Sequence, residues 1–94
     1  MIKVIIERKI ALGLEPNYHE AIRSTFKVVL DAPGYVSSES LADVHQPKHK
    51  VIITKWTSLA AWELWYACAA RKTVVGEITA LLEEPEKITI LEAK

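Results

Sequence analysis

The residues best suited to chemistry in this 94-residue chain are aromatic. Trp56, Trp62, Trp65 and Tyr66 bring all three tryptophans and one of three tyrosines into one short stretch. An indole is large, flat and apolar, with an N–H that needs a partner when buried. Such a group builds either a bulky core layer and subunit interface or the wall of a pocket for a flat ligand. Trp62, Trp65 and Tyr66 share one side of a helix with Leu59 and Ala69, which makes them candidate substrate-binding groups. Trp65, at the margin of the apolar arc, is the best placed of the three. Glu7 is the candidate catalytic base. Strand alternation sends Glu7 and Arg8 to opposite faces of a sheet. Where both faces are covered, at least one of these charges is partly buried, and a buried carboxylate with a raised pKa can accept a proton from a phenol or quinol. The competing reading is a strand end with both charges in water.

Other reactive side chains read as structural. His45 and His49, with Asp43 nearby, have a spacing that aligns two ligands only on a helix. Pro47 sits between them, so they are assigned to a solvated loop and no metal site is expected. His19 is expected on an exposed helix face. Cys68 reads as an inert buried thiol, and Arg71 and Lys72 as surface charges complementing a helix dipole. There is no Gly-rich phosphate loop, nucleophile elbow or zinc signature.

The elements that must position these groups follow from periodicity. Ile2 to Ile10 reads as a strand. Glu15-Pro16-Asn17 opens a helix, with proline suited to its first turn. Tyr18, Ala21, Ile22, Phe26, Val29 and Leu30 then recur at helical spacing. Ala32-Pro33-Gly34 ends that helix. Tyr35 to Asp43, serine-rich and modestly apolar, suits a sheet edge. Val44 to Lys50 is a polar turn, and the β-branched run Val51 to Trp56 is a strand. Ser58 is an N-cap for a helix to about Arg71. Thr73 to Leu82 continues helically after a break near Lys72. Glu83-Glu84-Pro85 stops it, and Lys87 to Leu91 is the last strand.

This order, β-α-β-β-α-β, predicts one α+β domain over residues 1–94 with the ferredoxin-like plan and an antiparallel sheet. Twelve basic and twelve acidic residues cancel without clustering, so nucleic-acid binding has no electrostatic footprint. No apolar run approaches the ~18 residues of a membrane-spanning helix. The charged opening segment does not read as a signal peptide, and a lone cysteine cannot form an internal disulfide. A cytoplasmic location is therefore expected.

Half of the residues are apolar and mean hydropathy is +0.11, high for a small monomer. Ile2, Val4 and Ile6 point one way and Ile5 the other; Val51 and Ile53 oppose Ile52 and Trp56; Ile88 and Ile90 oppose Leu91. Both sheet faces thus carry bulky apolar groups, while helices in this plan cover one. Leaving ~500 Å² of the second face in water would forgo about 12 kcal/mol, comparable to the stability of a small domain. A homodimer is expected, its sheets packed face to face through Ile2, Val4 and Ile6 or their pleat-opposites.

The opening strand Ile2–Arg8, the turn Ala32-Pro33-Gly34-Tyr35-Val36, the passage Lys55-Trp56-Thr57-Ser58 into Ala61-Trp62, and the closing helix and strand from Ile78 to Leu91 together resemble the antibiotic biosynthesis monooxygenase (ABM) domain family. The resemblance covers nearly the whole chain and implies a dimeric α+β barrel. It also implies a monooxygenase acting on a small aromatic or quinol-like substrate with no bound cofactor. A non-catalytic ligand-binding or interaction module on the same dimeric scaffold is the alternative. In the haem-degrading branch an asparagine, a tryptophan and an iron-binding histidine are required. Trp65 matches the tryptophan, but the asparagine position falls on Glu7 or Arg8 and the histidine position near Val75. Residues 66 to 94 contain no histidine, so the axial ligand of that branch is missing. An RNA-recognition module shares the strand order, but the first and third strands lack its aromatic platform.

Overall fold

The computed structural model describes residues 1–94. Its elements are β1 (Ile2–Lys9), α1 (Glu15–Val29), β2 (Tyr35–Ala42), β3 (His49–Trp56), α2 (Leu59–Ala67), α3 (Ala69–Thr79) and β4 (Lys87–Glu92). The four strands form one antiparallel sheet in the order β2-β3-β1-β4. This is the ferredoxin-like α+β arrangement expected from the sequence. Within one chain the sheet stays open, with β2 and β4 as its edges. No helix is long and apolar enough to cross a membrane.

Alternation divides β1 cleanly. Ile2, Val4, Ile6 and Arg8 are buried beneath the helices, while Lys3, Ile5, Glu7 and Lys9 lie on the far face, half-buried or exposed. In β3 the buried row is Lys50, Ile52, Thr54 and Trp56, and the far row is His49, Val51, Ile53 and Lys55. The β1–β3 register sets Ile5 opposite Ile53 and Glu7 opposite Val51. The far face therefore has an apolar centre, continued by Leu41 and Leu91, inside a charged rim. Of the two rows offered for a dimer joint, Ile2, Val4 and Ile6 belong to the core of the single chain. Only the pleat-opposites remain available.

The turn before β2 works as a spacer-free joint. Gly34 has φ +83°, a region that disfavours side chains, and a Cβ there would collide with Ala61 and the Thr57 hydroxyl. The missing side chain lets the turn sit against the start of α2, and the Thr57 N–H donates to the Gly34 carbonyl at 2.8 Å. Ser58 caps α2 as expected: its hydroxyl accepts from the Ala61 N–H at 3.1 Å.

The helical break lies four residues before its expected place. Cys68, with ψ 150°, separates α2 from α3, and no break occurs at Lys72. Nothing in the local sequence demands an interruption at a cysteine. Packing does: the turn at Cys68 redirects α3 so that Arg71, Val75 and Ile78, spaced at helical intervals, all become buried. Cys68 itself is half-buried rather than sealed in the core.

Candidate functional site

The indoles come together because β3 delivers Trp56 to the buried side of the sheet and Ser58 starts α2 immediately above it. Trp56 is fully buried, and its Nε1–H donates to the Thr54 hydroxyl at 2.9 Å. Trp62 meets it edge-on, with centroids 5.7 Å apart, and Trp65 stacks over it at 6.3 Å and 27°. Trp62 and Trp65 are both buried, as the helical spacing predicts for one side of α2. Tyr66 departs from them. It is 48% exposed and packs beside Trp62, with the Arg71 guanidinium 4.5 Å above its ring.

Between the sheet and the helices lies a small cavity of about 30 Å³. Trp62, Trp65 and Phe26 form apolar walls, Ser38 and Thr54 contribute hydroxyls, and Arg8 and Arg71 supply charge. A space of this size holds one water molecule. Trp65 also lines an open apolar groove of about 520 Å³ formed with Val28, Ala32, Pro33 and Leu64, and it is the residue common to both spaces. Tyr66 does not reach the cavity. It borders a separate groove with Trp62, Ile88 and Ile90.

The charged end of the cavity is the main departure from the sequence reading. Arg71, expected as a surface charge, is only 6% exposed, and Arg8 only 3%. The two share a single carboxylate. Arg8 Nε donates to Glu86 Oε2 at 2.8 Å, and Arg71 Nη2 donates to Glu86 Oε1 at 3.2 Å. Arg8 Nη1 also donates to the Tyr18 hydroxyl at 3.4 Å. Burial pushes the Tyr18 phenol above its ordinary pKa, against the opposing effect of the Arg8 charge and hydrogen bond. Lys50, assigned from sequence to a polar turn, is instead a buried β3 residue opposite Arg8, with its ammonium 3.5 Å from Glu15.

Glu7 lies on the other side of the sheet. Its carboxylate approaches His49 Nε2 at 3.4 Å and Lys87 Nζ at 4.0 Å, so the sheet separates it from Trp62 and Trp65. Of Glu7 and Arg8, Arg8 is the one that lines the cavity. His49 is not in a solvated loop. It is half-buried in β3, and its Nδ1 is 3.2 Å from Asp43 Oδ2. The His45 N–H and this imidazole hold the Asp43 carboxyl below its ordinary pKa. His19 is exposed, and no three His, Cys, Asp or Glu side chains converge as a metal site. Val75, where a haem-degrading relative would place its histidine, lines the cavity with an isopropyl group and offers iron no ligand.

Part of this cluster was visible in the sequence. Arg8 continues the alternate row Ile2-Val4-Ile6, Lys50 continues Ile52-Thr54-Trp56, and Arg71 shares a helical stripe with Val75 and Ile78. Glu86 carried no such signal, because it precedes β4 in an irregular segment.

An open four-stranded antiparallel sheet with helices on one face is the fold shared with ABM structures. The antibiotic biosynthesis monooxygenase family model matches residues 1–76, and the chain belongs to that family. A comparison with curated proteins gives no match. Among solved structures, an antibiotic biosynthesis monooxygenase superposes with TM-score 0.89 at 21% identity, covering 100% of this chain and 99% of the other. A conserved protein from Methanosarcina mazei Go1 gives TM-score 0.92 at 13% identity, over 99% and 92% of the two chains. SnoaB, a cofactor-independent oxygenase from Streptomyces nogalater, gives TM-score 0.86 at 17% identity, over 99% and 93%. At these identities the likeness to the structures is one of fold.

Proposed function

We propose that this chain is a homodimeric ABM-type monooxygenase that oxidises a small aromatic or quinol-like substrate without a bound cofactor. The observation that carries this reading is the cavity lined by Trp62, Trp65 and the two arginines, in a chain of this family. In chemistry of this kind the ionised substrate itself reduces dioxygen. One oxygen atom ends in the product and the other leaves as water. The protein must hold the ring flat, favour its anion and exclude bulk solvent. Indole walls and buried guanidiniums suit those tasks. The Glu7 carboxylate, expected as the base, is not among the groups facing the cavity, and Glu86 reaches it only through Arg8 and Arg71, which it bridges.

A substrate ring needs more room than one water. An apolar cavity of about 150 Å³ is what accommodates a benzene. Trp65 lines both the cavity and the Val28–Leu64 groove, and its displacement toward the groove would enlarge the cavity to admit a ring. Aerobic oxygen uptake with a panel of naphthols and hydroquinones tests the reading. Turnover that falls when Trp62, the wall that stays in place, is replaced by alanine supports it; no uptake above buffer across the panel overturns it.

The proposed dimer joins the far faces of two sheets through Ile5, Val51 and Ile53. Light scattering at micromolar concentration should then give a mass near twice 10.6 kDa. A folded monomer would refute this arrangement.

A further inference from the structure

Two buried guanidiniums facing one cavity and sharing one carboxylate leave a positive charge in excess. Arg8 and Arg71 both line the cavity, and Glu86 bridges them with one oxygen each. Tyr18 adds no negative charge, since burial keeps its phenol protonated. The neighbouring Lys50 is matched by Glu15 and does not offset the surplus. A guanidinium has five N–H donors. Glu86 and Tyr18 engage Nε and Nη1 of Arg8 and Nη2 of Arg71, so both side chains retain donors for a ligand. The Arg71 plane is also fixed, lying over Tyr66 at 4.5 Å and beside Trp62 at 5.7 Å.

We propose that Arg8 and Arg71 form an oxyanion subsite that takes the aromatic substrate in its ionised form, as a phenolate or quinol monoanion, with Glu86 holding the two guanidiniums in place. This deepens and rests on the oxygenase reading by assigning the two side chains that hold the anion and the carboxylate that competes with it. The ring lies against Trp62 and Trp65, and its O⁻ points to the arginine end. An opposite charge within ~4–6 Å favours an ionised group by one to three pKa units, and exclusion of water strengthens the effect. Glu86 competes with the incoming anion for the same donors. Its removal therefore strengthens the subsite instead of weakening it, a sign that a purely structural ion cluster would not give.

The experiment uses 4-nitrophenol, whose neutral and ionised forms absorb at different wavelengths, titrated against the full-length protein over a range of pH. The bound probe should ionise at least one unit below the free probe, equivalent to about tenfold preference for the anion. Arg71→Gln should abolish most of that preference, Arg71→Lys should retain part of it, and Glu86→Gln should increase it. Circular dichroism accompanies each variant. If Glu86→Gln fails to fold, the contrast between Arg71→Gln and Arg71→Lys decides. Equal affinity for phenol and phenolate in the native protein, or an unchanged preference in folded Arg71→Gln, overturns the subsite. Oxygen uptake with hydroquinones is measured in parallel. Uptake without ionisation preference would sink the subsite alone, whereas preference without uptake would sink the oxygenase reading and leave the subsite standing.

Discussion

The two faces of the sheet have similar chemistry and different surroundings. On the helix side, Val4, Ile6, Ile52 and Trp56 are sealed, and even the charged Arg8 and Lys50 are buried and paired. On the far side, Ile5, Val51 and Ile53 are half-buried, and the polar groups Glu7, His49 and Lys87 sit in a partly solvated rim. Residue type does not separate the faces, since each has a β-branched centre and a charged end. Coverage separates them. Charge under the helices is desolvated and held in specific pairs, whereas the same charge on the far face is screened by water.

A direct way to break this comparison is to place one carboxylate on each face. Val4→Asp should unfold the chain, because an unpaired charge in the sealed core costs more than about 4 kcal/mol. Ile5→Asp should leave the secondary structure intact and halve the mass seen by light scattering. Circular dichroism and light scattering on both variants check this; equal damage from the two would show the faces to be equivalent.

The ion pairs allow a second contrast. Arg8→Met removes the Nε–H bond to Glu86 and the Nη1–H bond to Tyr18, leaving Glu86 paired with Arg71 alone, and should destabilise by about 3 kcal/mol. Glu7→Gln, which removes the half-exposed contacts to His49 and Lys87, should cost no more than about 1 kcal/mol. Chemical denaturation midpoints measure both. The turn that seats α2 over the helix side gives a smaller effect than Arg8→Met. Gly34→Ala adds a Cβ at positive φ against Ala61 and Thr57, and should cost about 1–3 kcal/mol in thermal unfolding.

The smallest effect is in alkali. Tyr18 has its pKa raised by burial, so its contribution to stability is complete below the unfolded value of about 10.0 and is lost as pH rises through the folded value. Denaturation above pH 10 should therefore be less pH-dependent in Tyr18→Phe than in the native protein. Parallel slopes for the two would show that Tyr18 is not desolvated as described.

Much of the helix side could be read in advance, and for one reason: alternation is a local property. Ile2, Val4 and Ile6 on one row, Ile5 on the other, the Ser58 cap and the Pro33-Gly34 stop each follow from neighbouring residues. Trp62 and Trp65 were placed together by helical spacing, and the structure brings them to one cavity. The same spacing also grouped Tyr66 with them, but the arc of α2 turned toward the sheet is narrower than three aromatic rings. Tyr66 falls on its solvent edge under Arg71.

The order of elements, the antiparallel sheet, the two apolar faces and the concentration of indoles where β3 meets α2 are written locally, because they depend on periodicity, capping and β-branching within a few residues. The end of α2 at Cys68, the inward turn of Arg71 and the meeting of Glu86 with Arg8 across 78 positions of chain arise only when the elements pack. Those outcomes depend on which charges can be desolvated together, and a buried charge is tolerated only where the fold delivers its partner.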